Sequence, residues 1–256
     1  MNYETILVES KNDMFVITIN RLPQKNSING QLLEDIISAI TEAENNETYH
    51  AVVIQGKEGL FCTGMDFEQL TKDVTSGNPI SFDAEKYMGL LKRFSSSSKV
   101  IISVVDGKVL AGGVGLVAAS DIVIASSRSQ FGLSEAMWGL LPANVMPFLI
   151  RRVGFQKAYY MTLTMQNLSA EKALQINLID EMSENIEDSL RKLMLTIRRV
   201  SAKTVVEAKS FFRKMWIIND EMEKMSIDEL LKLVDQDEVK ENIKNYVLHN
   251  KFPWDK

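Results

Sequence analysis

The chain has 256 residues with a net charge of −5, 45% hydrophobic and 25% charged residues, enough for a sizeable packed core and unlike a disordered polymer. No apolar run approaches the roughly twenty residues that span a bilayer, and the first residues lack the basic-then-apolar layout of a secretory leader, so a cytoplasmic protein without a membrane partner is expected. One cysteine and two histidines exclude a disulfide framework and any visible metal cluster, and the absence of a basic tract interleaved with aromatics argues against nucleic acid.

Alternation over Thr5 to Glu9 and Met14 to Ile19, about the turn Lys11-Asn12-Asp13, predicts an N-terminal hairpin. Asn29 can cap a helix in which Leu32, Leu33, Ile36, Ile37 and Ile40 recur at helical spacing, ending near Asn45-Asn46. A buried strand over Ala51 to Gln55 leads to an exposed turn, Phe61-Cys62-Thr63-Gly64-Met65-Asp66. A helix starts over Asp66 to Leu70, and the polar stretch Thr71 to Phe82, centred on Gly77-Asn78-Pro79, is expected to be a mobile loop that orders over a ligand.

A helix over Ala84 to Phe94 feeds the strand Val100 to Val105, which turns at Asp106-Gly107 and reaches Ala111-Gly112-Gly113-Val114-Gly115 at a helix start. A strand, Ile122 to Ala125, and an extended piece, Gln130 to Gly132, follow, and the alternation implies parallel crossover units. Beyond Met137 the pattern is almost wholly helical, over Ala170 to Gln175, Asn185 to Arg199, Ala202 to Trp216 and Met222 to Val234. The apolar tail from Asn245 to Trp254 is too costly to leave exposed and is expected to dock on its own chain or a neighbour.

The chemistry concentrates between Val105 and Phe148. Paired glycines where a buried strand opens into a helix leave backbone N–H groups free, and such donors can hold a negatively charged carbonyl oxygen. The turn at Gly64 could supply a partner donor from Met65. Glu135, amid Phe131, Leu133, Met137 and Trp138, carries a carboxylate biased upward in pKa and suited to proton transfer. Asp66 fits a helix cap better than a reactant, and Cys62, with no histidine near in sequence, fits a small core residue.

These segments, in this order and across nearly the whole chain, resemble the crotonase (enoyl-CoA hydratase/isomerase) superfamily. Arg21 to Asn29 resembles its N-terminal turn, Phe61 to Asp66 its first oxyanion loop and Ala111-Gly112-Gly113 its second. The resemblance implies an α/β fold, a ClpP/crotonase-like spiral of ββα units, with a core over residues 1–195 and a helical region over 196–256 for oligomerisation and active-site cover. It makes the N–H groups of Met65 and Gly112 the oxyanion hole, with Gly64, Asp66, Gly113 and Asn144 beside the substrate, and it implies a homotrimer or hexamer.

Typical hydratases of that superfamily use two glutamates, one three residues beyond the oxyanion glycine and one twenty residues further on. Here the first position is Gly115 and the second is Glu135. The run Gly132 to Ala158 and the ending Phe252-Pro253-Trp254 are similar to the free-standing dehydratases of polyketide β-branching. That narrower likeness implies dehydration of 3-hydroxy-3-methylglutaryl held on an acyl carrier protein as a phosphopantetheine thioester, with no further cofactor, Glu135 acting as both base and acid on one face. A β-branching synthase and decarboxylase would be pathway partners. Asn144 would orient the leaving hydroxyl or cap the turn after Pro142, and Lys86, Lys92 or Lys108 would meet the distal carboxylate. Two alternatives remain: a hydratase or Δ-isomerase of coenzyme A thioesters, and a non-catalytic scaffold that binds an acyl carrier.

Overall fold

The structure, a computed structural model, describes residues 3–78, 82–216 and 218–255. Strands β1 (Ile6–Lys11) and β2 (Met14–Ile19) form the expected antiparallel hairpin. Asn29 caps α1 (Gly30–Glu44) by accepting from the Leu32 N–H, and the helix buries Leu32, Leu33, Ile36, Ala39, Ile40 and Ala43 on one face.

From there the chain winds as a spiral in which each turn lays one strand in each of two sheets. The first turn gives β3 (Ala51–Gln55) and β4 (Leu60–Cys62), followed by α2 (Phe67–Thr75) and α3 (Ala84–Ser96). The second gives β5 (Val100–Val105), β6 (Lys108–Leu110) and α4 (Gly112–Ala119), and the third β7 (Ile122–Ala125) and β8 (Gln130–Gly132). Two short strands, β9 (Leu168–Ser169) and β10 (Glu181–Met182), complete sheets ordered β1-β2-β3-β5-β7-β10 and β4-β6-β8-β9. The central pairings β2·β3·β5·β7 and β4·β6·β8 are parallel, as crossover connections require.

A one-turn 3₁₀ helix over Glu135–Trp138 follows β8, and the remainder is helical: α5 (Met146–Val153), α6 (Phe155–Thr164), α7 (Ala170–Gln175), α8 (Ile186–Ile197), α9 (Ala202–Arg213), α10 (Asp220–Val234) and α11 (Asp237–His249). Among the described residues no helix is long and apolar enough to cross a membrane.

The structure changes two points of the sequence reading and bears out the docking of the tail. The stretch from Thr71 is not loop at its start, because α2 continues to Thr75. Asp66 caps that helix through the Gln69 N–H at 3.1 Å, Gln69 bonds Asp73 at 2.8 Å one turn on, and α2 lies against α11, so tertiary packing overrides a polar sequence. Residues 79–81 of the same stretch lie outside the described residues. The strands β4, β6, β9 and β10 were not anticipated, since two or three residues are too few to display alternation. The tail is helical as far as His249, and beyond it Phe252 docks on its own chain against Trp138 and Tyr246, with ring centroids 5.9 and 5.2 Å away.

Candidate active site

A cavity of about 690 Å³ opens where the two glycine turns meet, walled by Met65, Ala111, Gly112, Glu135 and Asn144 and roofed by Leu230, Tyr246 and Val247 from α10 and α11. Each wall residue is set there by a local constraint. The segment after β4 makes a parallel bridge to Ile28, using the Gly64 carbonyl (2.7 Å) and the Asp66 N–H (3.1 Å). In a parallel ladder the residue between those two points its own N–H to the opposite side, so the Met65 N–H is left over. Asp66 lines the cavity, but one carboxylate oxygen caps α2 and the other accepts from Arg21 at 2.9 Å. It frames the turn and has little left to offer a substrate.

On the second turn, Ala111 holds φ +49° and ψ −125°, a left-handed conformation that L side chains rarely adopt and that costs about 1–3 kcal/mol. It is pinned by its N–H to the Gly132 carbonyl on β8 (2.9 Å) and by its carbonyl, which accepts from Val114 (2.8 Å). The strained turn starts α4 at Gly112, whose N–H therefore has no acceptor within the helix. Gly64 and Gly113 serve shape rather than contact, and neither lines the cavity. A Cβ on Gly64 would sit 2.9 Å from the Gly112 nitrogen, and one on Gly113 would sit 2.5 Å from the Cys62 carbonyl oxygen on β4. Cys62 is buried, which pushes its thiol up to about 12 and makes it inert.

Glu135 opens the 3₁₀ turn that leaves β8. Its Oε2 is shut from solvent and has no hydrogen-bond partner among the described residues. Burial raises its pKa from 4.5 to about 7, against a smaller downward pull from the N–H groups of Glu135 itself and Ser134. The turn is held from behind by Trp138, 5% exposed, which meets Phe67 edge-on at 5.5 Å and Tyr246 at 4.8 Å. Asn144, 1% exposed, donates its amide to the Ala84 carbonyl at 2.8 Å, and its buried Oδ1 has no hydrogen-bond partner among the described residues.

Of the three lysines considered for a distal carboxylate, Lys86 pairs with Glu34 and Lys92 with Glu223, each at 2.7 Å, and neither lines the cavity. Lys108 does, together with Lys25, which was not singled out as a cation although it lies within the Arg21 to Asn29 turn. The reading also missed Tyr87, a buried residue on α3 without any local signal, whose hydroxyl donates to the Gly112 carbonyl. No group of three or more metal-ligating side chains occurs among the described residues.

The profile of the enoyl-CoA hydratase/isomerase family matches residues 9–256. The chain belongs to that family. The bacillaene synthase dehydratase PksH of Bacillus subtilis is 34% identical over 258 residues, covering 100% of this chain and 98% of that protein. The crystal structure of the pksH polyketide biosynthesis enoyl-CoA hydratase from Bacillus subtilis superposes with a TM-score of 0.94 at 33% identity, over 98% of this chain and 100% of the other. A short-chain enoyl-CoA hydratase of Clostridium acetobutylicum is 30% identical over 211 residues, 81% of this chain and 78% of its own. The two-sheet spiral with a helical C-terminal region is thus the crotonase fold, and the chain is a crotonase-family enzyme related to hydro-lyases.

Proposed function

We propose that the enzyme dehydrates 3-hydroxy-3-methylglutaryl carried on an acyl carrier protein, giving the 3-methylglutaconyl thioester. One observation carries this reading. The cavity holds Glu135, whose shut-in Oε2 has no partner among the described residues, beside the backbone turns of Met65 and Gly112, while the buried Asp66 is spent on Arg21 and the α2 cap and position 115 of the adjoining helix is glycine. The full-length likeness to a polyketide dehydratase supports the same substrate class.

In this reading the thioester oxygen sits on the Met65 and Gly112 N–H groups, which strengthen their hold as the enolate forms; one such donor is typically worth about 3 kcal/mol. The Glu135 carboxylate takes the proton from the carbon next to the thioester. The enolate then collapses, the bond from the tertiary carbon to its hydroxyl breaks, and the same proton passes from Glu135 to the departing oxygen. Water leaves and Glu135 returns to its carboxylate form. Proton and hydroxyl depart from one face, which is why one carboxylate suffices. The Oδ1 of Asn144, unpartnered among the described residues, accepts from the substrate hydroxyl and orients it. Lys108 and Lys25 are the cavity's cations for the distal carboxylate.

The phosphopantetheine arm supplies the thioester, so no separate cofactor is needed, and a synthase and a decarboxylase of the same pathway act before and after. A homotrimer or hexamer is part of the reading. It is supported by exposed apolar faces on α6 (Phe155 66%, Leu163 58%) and α9 (Phe211 59%, Phe212 68%) that a partner copy would cover.

The likeness to a short-chain enoyl-CoA hydratase favours a second reading, hydration of coenzyme A thioesters. The absence of a carboxylate at position 115 weighs against it. Presenting the same acyl group on a carrier protein and on coenzyme A separates the two. The first reading expects markedly faster loss of water from the carrier form, and equal or faster turnover of the coenzyme A form would overturn it.

A further inference from the structure

Tyr87 is 2% exposed, yet its hydroxyl reaches the cavity wall and donates to the Gly112 carbonyl at 2.5 Å. The same oxygen governs what α4 can carry one turn later. A Cβ built on Gly115 would overlap the Tyr87 hydroxyl oxygen outright, while lying 3.0 Å from Val145 Cγ2 and 3.3 Å from the Tyr87 ring carbon that bears the hydroxyl. A Cβ on Gly112 would lie 3.3 Å from that hydroxyl. The phenol is therefore lodged between residues 112 and 115, in the space where any side chain at 115 would begin.

The geometry points to Tyr87 as the positioning residue of the oxyanion hole: its O–H holds the first peptide of α4 so that the Gly112 N–H stays aimed at the thioester oxygen, and its bulk makes glycine obligatory at position 115. This rests on the reading that Met65 and Gly112 donate to that oxygen. Two physical points support it. Ala111 is strained, and the Ala111–Gly112 peptide that carries the Gly112 N–H is held at its carbonyl by Val114; the buried hydrogen bond from Tyr87 holds the Gly112–Gly113 peptide, so Gly112 is fixed on both sides. Burial also keeps the phenol well above its ordinary titration range, so it stays a donor at every working pH and adds no second charge near Glu135.

The test uses acetoacetyl-pantetheine, whose enolate absorbs in the near ultraviolet, so that binding at the oxyanion hole is read as enolate formed on the full-length protein, independent of which acyl group is the true substrate. Wild type is expected to raise the enolate fraction. Tyr87→Phe keeps the ring and removes the anchor, and should lower enolate stabilisation about tenfold, with probe affinity changed less than about threefold and the thermal midpoint nearly kept. Gly115→Ala forces the hydroxyl aside and should lose at least as much. Because the hydroxyl oxygen is the severest obstruction and Val145 Cγ2 and the ring carbon need give only by a few tenths of an ångström, adding Gly115→Ala to Tyr87→Phe should cost less than about threefold more. Unchanged enolate stabilisation in folded Tyr87→Phe would overturn the proposal while leaving the oxyanion hole intact. If Tyr87→Phe does not fold, full stabilisation by Gly115→Ala overturns it equally. No enolate on wild type would overturn the oxyanion reading and this proposal together.

Discussion

Gly64 and Gly112 stand so close that a Cβ on Gly64 would come 2.9 Å from the Gly112 nitrogen and 2.5 Å from the Ala111 Cβ. Gly64 also holds φ +85°, where an L side chain is strained. Gly64→Ala should therefore displace one oxyanion donor from the other. Steady-state kinetics should show a loss in kcat of about a hundredfold. Gly77, at φ +67° with nothing among the described residues within 4 Å of a Cβ built there, is the control: Gly77→Ala should cost about 1 kcal/mol in a thermal melt and leave kcat unchanged.

Glu135 couples stability to pH. In the folded protein its pKa is raised to about 7 from an ordinary 4.5, so the native state holds this proton more tightly than the unfolded chain does. Its cost to stability is absent below the unfolded value, grows between pH 4.5 and 7, and is complete above that window. Glu135→Gln escapes the cost. Denaturant titrations should find the variant as stable as wild type near pH 4.5 and more stable above pH 7, by on the order of 3 kcal/mol. Wild-type activity should rise with pH through about 7 as the base form appears.

Trp138 backs the turn that presents Glu135 and is gripped by Tyr246 and Phe252 from the C-terminal segment. Phe252→Ala removes ring contacts to Trp138, Tyr246 and Trp254, at about 1–2 kcal/mol of stability. Hydrogen exchange should report faster opening of α11 and of residues 135–138 together, with KM raised. Protection unchanged at residues 135–138 would show that the tail does not brace the site.

Asn144 keeps its amide fixed on the Ala84 carbonyl at 2.8 Å. Asn144→Asp replaces that donor with an acid lining the same cavity as Glu135. The acidic limb of the activity profile should move upward by about one pH unit through like-charge repulsion. A limb that stays in place would separate residue 144 from the reacting groups.

Most of the spiral was legible because the strands of its first sheet are long enough to show a pattern: β3, β5 and β7 fall on the expected residues, and Asn29 and Asp66 are helix caps as their types suggest. The second sheet was not legible as a sheet. Its strands span two or three residues and are defined by partners far along the chain. At the site, Met65, Gly112 and Glu135 could be named because glycine turns and a lone acid in an apolar stretch carry local signals, whereas Asn144 was named only through the family resemblance. Gly64 and Gly113 were named beside the substrate, yet they act by letting backbones approach, a property that glycine's presence alone does not distinguish. Tyr87 carried no signal at all. It reads as one more core aromatic on α3 until the register of α3 against α4 puts its hydroxyl on Gly112.

The central claim, that one carboxylate removes water from a carrier-bound acyl group, is tested most directly by mass spectrometry of 3-hydroxy-3-methylglutaryl acyl carrier protein incubated with wild type and with Glu135→Gln. The account predicts that wild type strips one water from the acyl group and that folded Glu135→Gln leaves it intact. An acyl group that wild type does not change, or that Glu135→Gln dehydrates at a near-wild-type rate, would contradict it.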